Sequence, residues 1–368
     1  APSLSLLAAG SLLLAGCDLG VSNPALVEEG DLDTPAAVEA IVNGARGTFG
    51  MATTIMGAAG TYAASGLLAG EIVHSGSWTP PREIADGFPN NESPENQSHW
   101  GYSSQARWQA EDAIGKVSGL VDNPASNEWV ALAQLYAGFS NRIMGEMFCD
   151  AVIDGGPLEP HTAFSSRAVG HFEAAAATAQ AGGHSNLRFA ALAGRAQAML
   201  MLGQVEQAVQ YAQQVPTDFR YDHIHSSNSG NENNGLFNWA YRGDNTWQFT
   251  VWGTPFETWG VNTADPGAVG DPRVTYTPVL QGGAVRLGGD GRRPVYRANK
   301  YPDQGSPTAL AKGTEMRLIE AEALIRGGNV PGAVGMINQV RAHHGLDPAE
   351  AATTAEAWAL LMRERGLE

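Results

Sequence analysis

The chain has 368 residues, of which 43% are hydrophobic, so it is long enough to bury a large core as one domain or two. Its formal net charge of -16 argues against nucleic acid, whose phosphates demand a basic surface, and against adhesion to anionic lipid headgroups. Only two cysteines occur, Cys17 and Cys149, and no Cys/His cluster has the spacing of a zinc site. We therefore expect no metal and no cofactor.

The first element in chain order is a short apolar run, residues 4–15, that leads into the sequence LAGC at 14–17. The run is too short to span a bilayer, but it fits the apolar core of a secretory signal. Small residues directly before a cysteine are typical of a bacterial lipoprotein cleavage site, after which Cys17 would become the acylated N-terminus. We predict a lipoprotein signal at residues 1–17, with an ordinary signal peptide and an incidental cysteine as the alternative.

A polar tether is predicted for residues 18–33, followed by a single α-helical domain over residues 34–368. The domain begins where Asp33 and Thr34 offer polar caps and Pro35 occupies an early helical position. Apolar periodicity predicts helical segments at about 34–49, 51–72, 105–121, 128–147, 165–180, 185–215, 314–327, 331–344 and 354–367.

Two regions of the domain lack helical periodicity. Prolines and asparagines predict a loop over residues 74–98. A change to Gly, Asn, Asp, Pro and aromatic residues predicts a loop-rich insertion at about 216–313, with short strands at 273–276 and 295–297. Because the chain lacks an initiator Met and stops within a helical pattern, we expect truncation at both ends.

Two helical regions repeat one another. Ala196 and Ala208 flank Gly203, and Ala321 and Ala333 flank a second glycine at the same separation. Small residues let two helices approach and glycine makes the turn, which is the design of tetratricopeptide-type helix pairs. Two unrelated helical hairpins with alanine at their crossings are the alternative.

The densest aromatic run, residues 237–259, mixes tryptophans with Asn, Asp and Gln. Flat rings cover the apolar C–H faces of a sugar while amides and carboxylates bond its hydroxyls, so the run is suited to a carbohydrate platform. Alternatively, these rings attach the insertion to the helical body. The odd spacing of Trp247 and Trp252 prevents them from sharing one face of a strand. The candidate ligand-binding residues in this run are Trp239, Tyr241, Trp247, Trp252 and Trp259.

Motifs at both ends of the chain resemble the SusD/RagB family of outer-membrane nutrient-binding lipoproteins. The N-terminal motifs are CDL at 17–19, VSNP at 21–24, LDTP at 32–35 and VNGA at 42–45. The C-terminal motifs are EMRLIEAEA at 315–323, INQVR at 337–341 and LMRERGLE at 361–368, the last resembling the start of the closing motif of the family. The middle of the chain matches only in its plan of helix pairs and a variable insertion.

The resemblance implies a SusD-like, mainly α-helical fold and a binding protein without chemistry of its own. Such a protein is anchored by lipid at the outer membrane, faces the exterior and captures an oligosaccharide or a peptide. It passes the ligand to a TonB-dependent, SusC-like transporter. The family also uses an aromatic from an early loop, for which Trp78, Trp100 and Tyr102 are candidates; a structural role for Trp78 is the alternative.

Two other classes of function stay open at this point. A tetratricopeptide scaffold that binds only protein would bury the aromatic run. A glycosidase would need two carboxylates on opposite sides of a pocket, about 5–10 Å apart. The sequence shows no pattern of alternating strands and helices that would build a catalytic barrel.

Overall fold

A computed structural model describes residues 29–90, 92–241 and 248–368; for residues 29, 56–59 and 241 it describes the backbone alone. The helices are α1 (Val38–Gly50), α2 (Met56–Leu68), α3 (Thr79–Ala85), α4 (Pro94–Leu120), α5 (Glu128–Met147), α6 (Thr162–Gly182), α7 (Ser185–Met201), α8 (Val205–Ala212), α9 (Gly235–Tyr241), α10 (Pro255–Trp259), α11 (Gly313–Arg326), α12 (Val330–His343) and α13 (Thr354–Leu367). The strands are β1 (Val73–His74), β2 (Ala151–Val152), β3 (Leu158–Glu159), β4 (Arg220–His223), β5 (Phe249–Thr250), β6 (Gly260–Asn262), β7 (Asp271–Pro278), β8 (Leu280–Gln281), β9 (Ala284–Val285), β10 (Tyr296–Ala298) and β11 (Thr308–Lys312). The predicted mainly α-helical fold is confirmed. The predicted signal and most of the predicted tether lie outside the described residues.

Helix α5 forms the centre of the helical body. Almost every residue from Val130 to Gly145 is buried, because α5 packs between α4, α6 and α7. A helix that is apolar on all sides is stable only when it is enclosed by other elements. Its start is fixed by Asn127, whose Oδ1 accepts hydrogen bonds from the backbone N–H groups of Trp129 (2.9 Å) and Val130 (3.4 Å).

Loss of this cap gives a first prediction. The variant Asn127→Ala is expected to lower the free energy of unfolding by about 1 kcal/mol, because two N–H groups at the helix start lose their acceptor. Urea denaturation of both proteins measures the difference. Asn127→Asp keeps an acceptor at the same position and should stay close to the native value. An equal loss in both variants would contradict the capping role.

Two helix pairs close with the same turn, which confirms the predicted tetratricopeptide-like packing. Helices α7 and α8 meet at Gly203 (φ 72°), and α11 and α12 meet at Gly328 (φ 76°). At each turn the N–H after the glycine donates to the carbonyl five residues earlier, at 2.9 and 2.8 Å, which is a Schellman closure. The four alanines of the repeat are fully buried at the helix crossings: Ala196, Ala208, Ala321 and Ala333.

The predicted loop over residues 74–98 is wrong in two places, since α3 and the start of α4 lie within it. Prolines stand at the first or second position of both helices, where a missing N–H removes no intrahelical hydrogen bond. Trp100 and Tyr102 therefore lie on α4 rather than in a loop. Trp100 packs edge-on against Phe148 at 5.1 Å, and Tyr102 packs against the main core.

Strands β4 and β11 close the base of the insertion. They pair antiparallel, and their register places Arg220 opposite Lys312. Between them, β10, β7 and β6 form a three-stranded sheet and β8 pairs with β9 as a hairpin. The strands predicted at 273–276 and 295–297 are confirmed by β7 and β10. Within the described residues, no helix is both long and apolar enough to cross a bilayer.

Candidate functional site

A short antiparallel pairing joins the segment after α2 to the insertion. Val73 lies opposite Thr250 and His74 lies opposite Phe249, so β1 and β5 align the chain on both sides of the contact. Trp78 follows β1 and is the residue directly before α3. The pairing thus brings the early segment to the aromatic run of the insertion, although the two are far apart in sequence.

Trp78 and Trp239 stack on one another at this junction. Their ring centroids are 5.3 Å apart and their planes differ by 19°. Trp78 is 40% exposed, whereas Trp239 is half-buried and also packs against Phe249, with ring centroids 6.4 Å apart. The exposed ring of Trp78 is therefore supported from behind by Trp239 and Phe249. Both residues were predicted from the sequence, but their contact was not.

The start of α9 fixes the position of Trp239. Asn234 is fully buried, and its side chain donates to the carbonyl of Ser306 (2.8 Å) and accepts from the N–H of Phe237 (3.3 Å). A Cβ at Gly235 would overlap the backbone of Thr54, so only glycine lets α9 approach the helical body this closely. The helix that carries Trp239 is therefore anchored on both the insertion and the core.

A glycine-rich turn supports the segment before Trp78. The N–H of Asp290 donates to the carbonyl of Ser75 (3.0 Å), and a Cβ at Gly288 would overlap Ser75. From the other direction, Nη2 of Arg82 donates to the carbonyl of Gly76 (2.9 Å). Nothing in the local sequence indicates this contact. Three separate segments of the chain therefore build the tryptophan site.

His74 lies buried beneath the site, with Nε2 3.1 Å from Oε1 of Gln248. Burial, together with the positive charges of Arg82 and Arg293, lowers the pKa of His74 to about 4, although the hydrogen bond to Gln248 opposes the shift. His74 is consequently neutral at pH 7. Two other buried histidines lie beside one another on the insertion side, and burial lowers the pKa of His223 to about 3 and that of His225 to about 4.

Buried neutral histidines predict a loss of stability in mild acid. The unfolded chain binds a proton near pH 6.5, whereas folded His74 binds it only near pH 4, so this stabilisation is complete above pH 6.5 and is lost as the pH falls towards 4. At pH 5 each such histidine should lower the free energy of unfolding by about 2 kcal/mol. We expect His74→Gln to reduce the difference between urea denaturations at pH 7 and pH 5. The exposed His161→Gln serves as the control, and equal reductions in both would contradict the assignment.

The other predicted aromatics occupy different surroundings. Trp252 is 37% exposed, and its backbone N–H donates to Oγ1 of Thr250 (3.1 Å). Trp259 is half-buried and packs edge-on against Phe256 at 5.7 Å within a small core cluster, which is the structural role left open by the sequence. Trp247 and the side chain of Tyr241 lie outside the described residues.

A cavity of about 630 Å³ adjoins α9 and was missed by sequence reasoning. Leu236, Ala240 and Phe249 form part of its wall, and none of the tryptophans in the described part of the chain lines it. Its size is within the range of small-molecule pockets. Its walls come from many separate segments, so no local motif could have indicated it. Across residues 29–90, 92–241 and 248–368, no three His, Cys, Asp or Glu side chains form a metal-binding group.

Solved structures share this fold, although no family model and no curated protein matches the sequence. A SusD-like carbohydrate binding protein from Bacteroides vulgatus ATCC 8482 is 16% identical, with 90% of this chain and 79% of that chain covered and a TM-score of 0.62. A SusD-like protein from Bacteroides fragilis NCTC 9343 is 12% identical, with 93% and 85% covered and a TM-score of 0.68. A SusD/RagB family protein from Bacteroides thetaiotaomicron VPI-5482 is 14% identical, with 89% and 79% covered and a TM-score of 0.58. The chain therefore has the SusD-like fold, which confirms the predicted resemblance at the level of structure.

Proposed function

We propose that this chain is a surface-exposed, lipid-anchored binding protein that captures an oligosaccharide, or a peptide, as a nutrient. It delivers this ligand to a TonB-dependent, SusC-like transporter in the outer membrane and performs no catalysis itself. In this proposal residues 1–17 are the lipoprotein signal, Cys17 carries the lipid, residues 18–33 are the tether and residues 34–368 form one binding domain.

The observation that carries the proposal is the exposed stack of Trp78 on Trp239. Stacked indoles offer a flat apolar surface that complements the C–H face of a pyranose ring, and the backing of Trp239 by Phe249 fixes this surface before a ligand arrives. Trp252, also exposed, is a further candidate for ligand contact. The SusD-like carbohydrate binding protein from Bacteroides vulgatus ATCC 8482 supports a sugar ligand for this fold.

Calorimetry of the purified protein against a panel of oligosaccharides and peptides tests the ligand. We expect at least one oligosaccharide to bind, with the affinity reduced in Trp78→Ala. Binding to no member of the panel would contradict the capture function. Binding to peptides alone would indicate that the ligand is a peptide rather than an oligosaccharide.

Anchoring and transport need a separate experiment in the native host. A tagged protein made from its complete gene should carry acyl chains on Cys17 by mass spectrometry and copurify with a barrel transporter from detergent-solubilised membranes. The variant Cys17→Ser should lose both the acyl chains and the membrane association. An unmodified thiol at Cys17 would contradict the lipid anchor, and a missing barrel partner would contradict delivery.

A tetratricopeptide scaffold that binds only protein is the alternative, supported by the two helix pairs with identical turns. It requires the aromatic run to be buried, whereas Trp252 in that run is exposed. Trp259, which is packed into a core cluster, is the residue that best fits this alternative.

A further inference from the structure

We propose that Gln248 is a positioning residue that sets the distance and angle between Trp78 and Trp239. It does so from beneath the stack, without contacting the ligand itself. Its effect on ligand affinity depends on the proposed function, but its effect on the stack does not.

The backbone of Gln248 connects the two segments that carry the tryptophans. Its N–H donates to the carbonyl of Trp239 (3.2 Å), and its carbonyl accepts from the N–H of Ser75 (2.7 Å). Ser75 lies three residues before Trp78, directly after β1. One residue thus fixes the backbone of α9 relative to the segment that leads into Trp78.

The side chain of Gln248 holds the same segment at a second point. It is 93% removed from solvent, since only 7% of the residue is exposed, and its Oε1 is 3.1 Å from Nε2 of His74. A Cβ at Gly76 would overlap the side-chain amide of Gln248, so the amide lies directly against Gly76. His74 and Gly76 lie on either side of Ser75, which means that the side chain and the backbone of Gln248 together hold three consecutive residues.

The chemistry of this position requires a neutral hydrogen-bonding side chain. His74 is neutral because burial lowers its pKa, so its Nε2–H can donate to the amide oxygen without a charge on either group. Leucine in place of Gln248 would keep the volume but leave a buried imidazole N–H without an acceptor. The pairing of β1 and β5 ends at His74, so it does not hold Ser75 and Gly76. The contacts of Gln248 hold these two residues on the side of Trp239.

The stack has a spectroscopic signature that does not need a ligand. Two tryptophans in close contact couple their electronic transitions and so give a circular dichroism signal. Trp78→Phe removes one of the two indoles, so the difference between the native spectrum and the Trp78→Phe spectrum measures this signal. Gln248→Leu should reduce this contribution towards the level of Trp78→Phe while the protein remains folded. The affinity for the oligosaccharide that binds the native protein best should fall about tenfold.

The matched control is Gln197→Leu on α7. Gln197 is also a buried glutamine, with its Nε2 2.7 Å from Oε2 of Glu315, and its substitution also removes hydrogen bonds, from Glu315 and from the buried Arg142. We expect Gln197→Leu to lower stability but to keep the signal of the stack. A full signal in folded Gln248→Leu, or an equal loss in Gln197→Leu, would overturn the positioning role.

A double-mutant cycle tests the contact with Gly76. Gly76→Ala alone should displace the amide of Gln248 and reduce the signal of the stack. Gly76→Ala added to Gln248→Ala should change the signal less, because the overlapping amide is gone and only Nε2 of His74, 2.9 Å from the new methyl group, still has to shift. Equal effects of Gly76→Ala in both backgrounds would also overturn the proposal. If the native protein binds no oligosaccharide, the proposed function fails, while the spectra still decide the role of Gln248.

Discussion

Replacing Trp78 with alanine is expected to weaken oligosaccharide binding by about 10- to 100-fold, or about 1.4–2.8 kcal/mol. The ring is 40% exposed, so a bound sugar can cover apolar surface that the folded protein leaves in water. Removing the indole deletes this surface and also separates Trp239 from its stacked partner. Calorimetric titration of native and variant protein with the same oligosaccharide measures the loss.

Trp108→Ala is the control for this experiment. Trp108 is 54% exposed on α4 and has no place in the site, so its removal should leave the affinity unchanged. Trp78→Phe should restore part of the affinity, since a smaller ring keeps a flat apolar face. Equal losses for Trp78→Ala and Trp108→Ala would contradict the assignment of the site.

Phe172→Ala should give the largest loss of stability, about 3–5 kcal/mol, because it opens a cavity at the centre of the helical body. Phe172 on α6 is fully buried and meets Phe139 edge-on, with the ring centroids 5.0 Å apart. Its ring fits only because α5 and α7 have glycines at Gly138 and Gly194, where a Cβ would overlap it. Urea denaturation at pH 7 measures the change.

Two further variants sharpen this test. Ser166→Ala alters an exposed position of the same helix and should change the free energy of unfolding by less than about 0.5 kcal/mol. Gly194→Ala should also destabilise, by about 1–3 kcal/mol, since the new methyl group forces the ring of Phe172 to move. A loss below about 1 kcal/mol for Phe172→Ala would show that this site collapses around the deletion.

The sequence is most informative about the helical body. The extent of α5 was predicted to the residue, because apolar residues recur with helical spacing from Trp129 to Met147. Helix α3 and the first turns of α4 lie where the prolines favour a loop, but Pro80 and Pro94 occupy first turns, where proline is tolerated.

The site was predictable in its parts but not in its assembly. The composition of the aromatic run indicated Trp239, and the family resemblance indicated Trp78. Their contact depends on β1 and β5, which pair over two residues each and are too short to produce any periodicity. The same limit applies to Gln248, whose role follows from contacts with residues that lie far away in the sequence.

The antiparallel pairing of β4 with β11 has a consequence for how this fold can diversify. Because Arg220 and Lys312 lie opposite one another, the chain leaves the helical body and re-enters it at neighbouring points. Lengthening a loop with fixed ends costs little free energy, since the entropy of closure grows only with the logarithm of its length. Residues 224–307 can therefore vary in length while α5 to α8 keep their packing, provided that the buried Glu364 of α13 keeps a cation in the place of Arg273, which lies 2.9 Å away. A graft of this kind would combine one helical scaffold with insertions of many lengths.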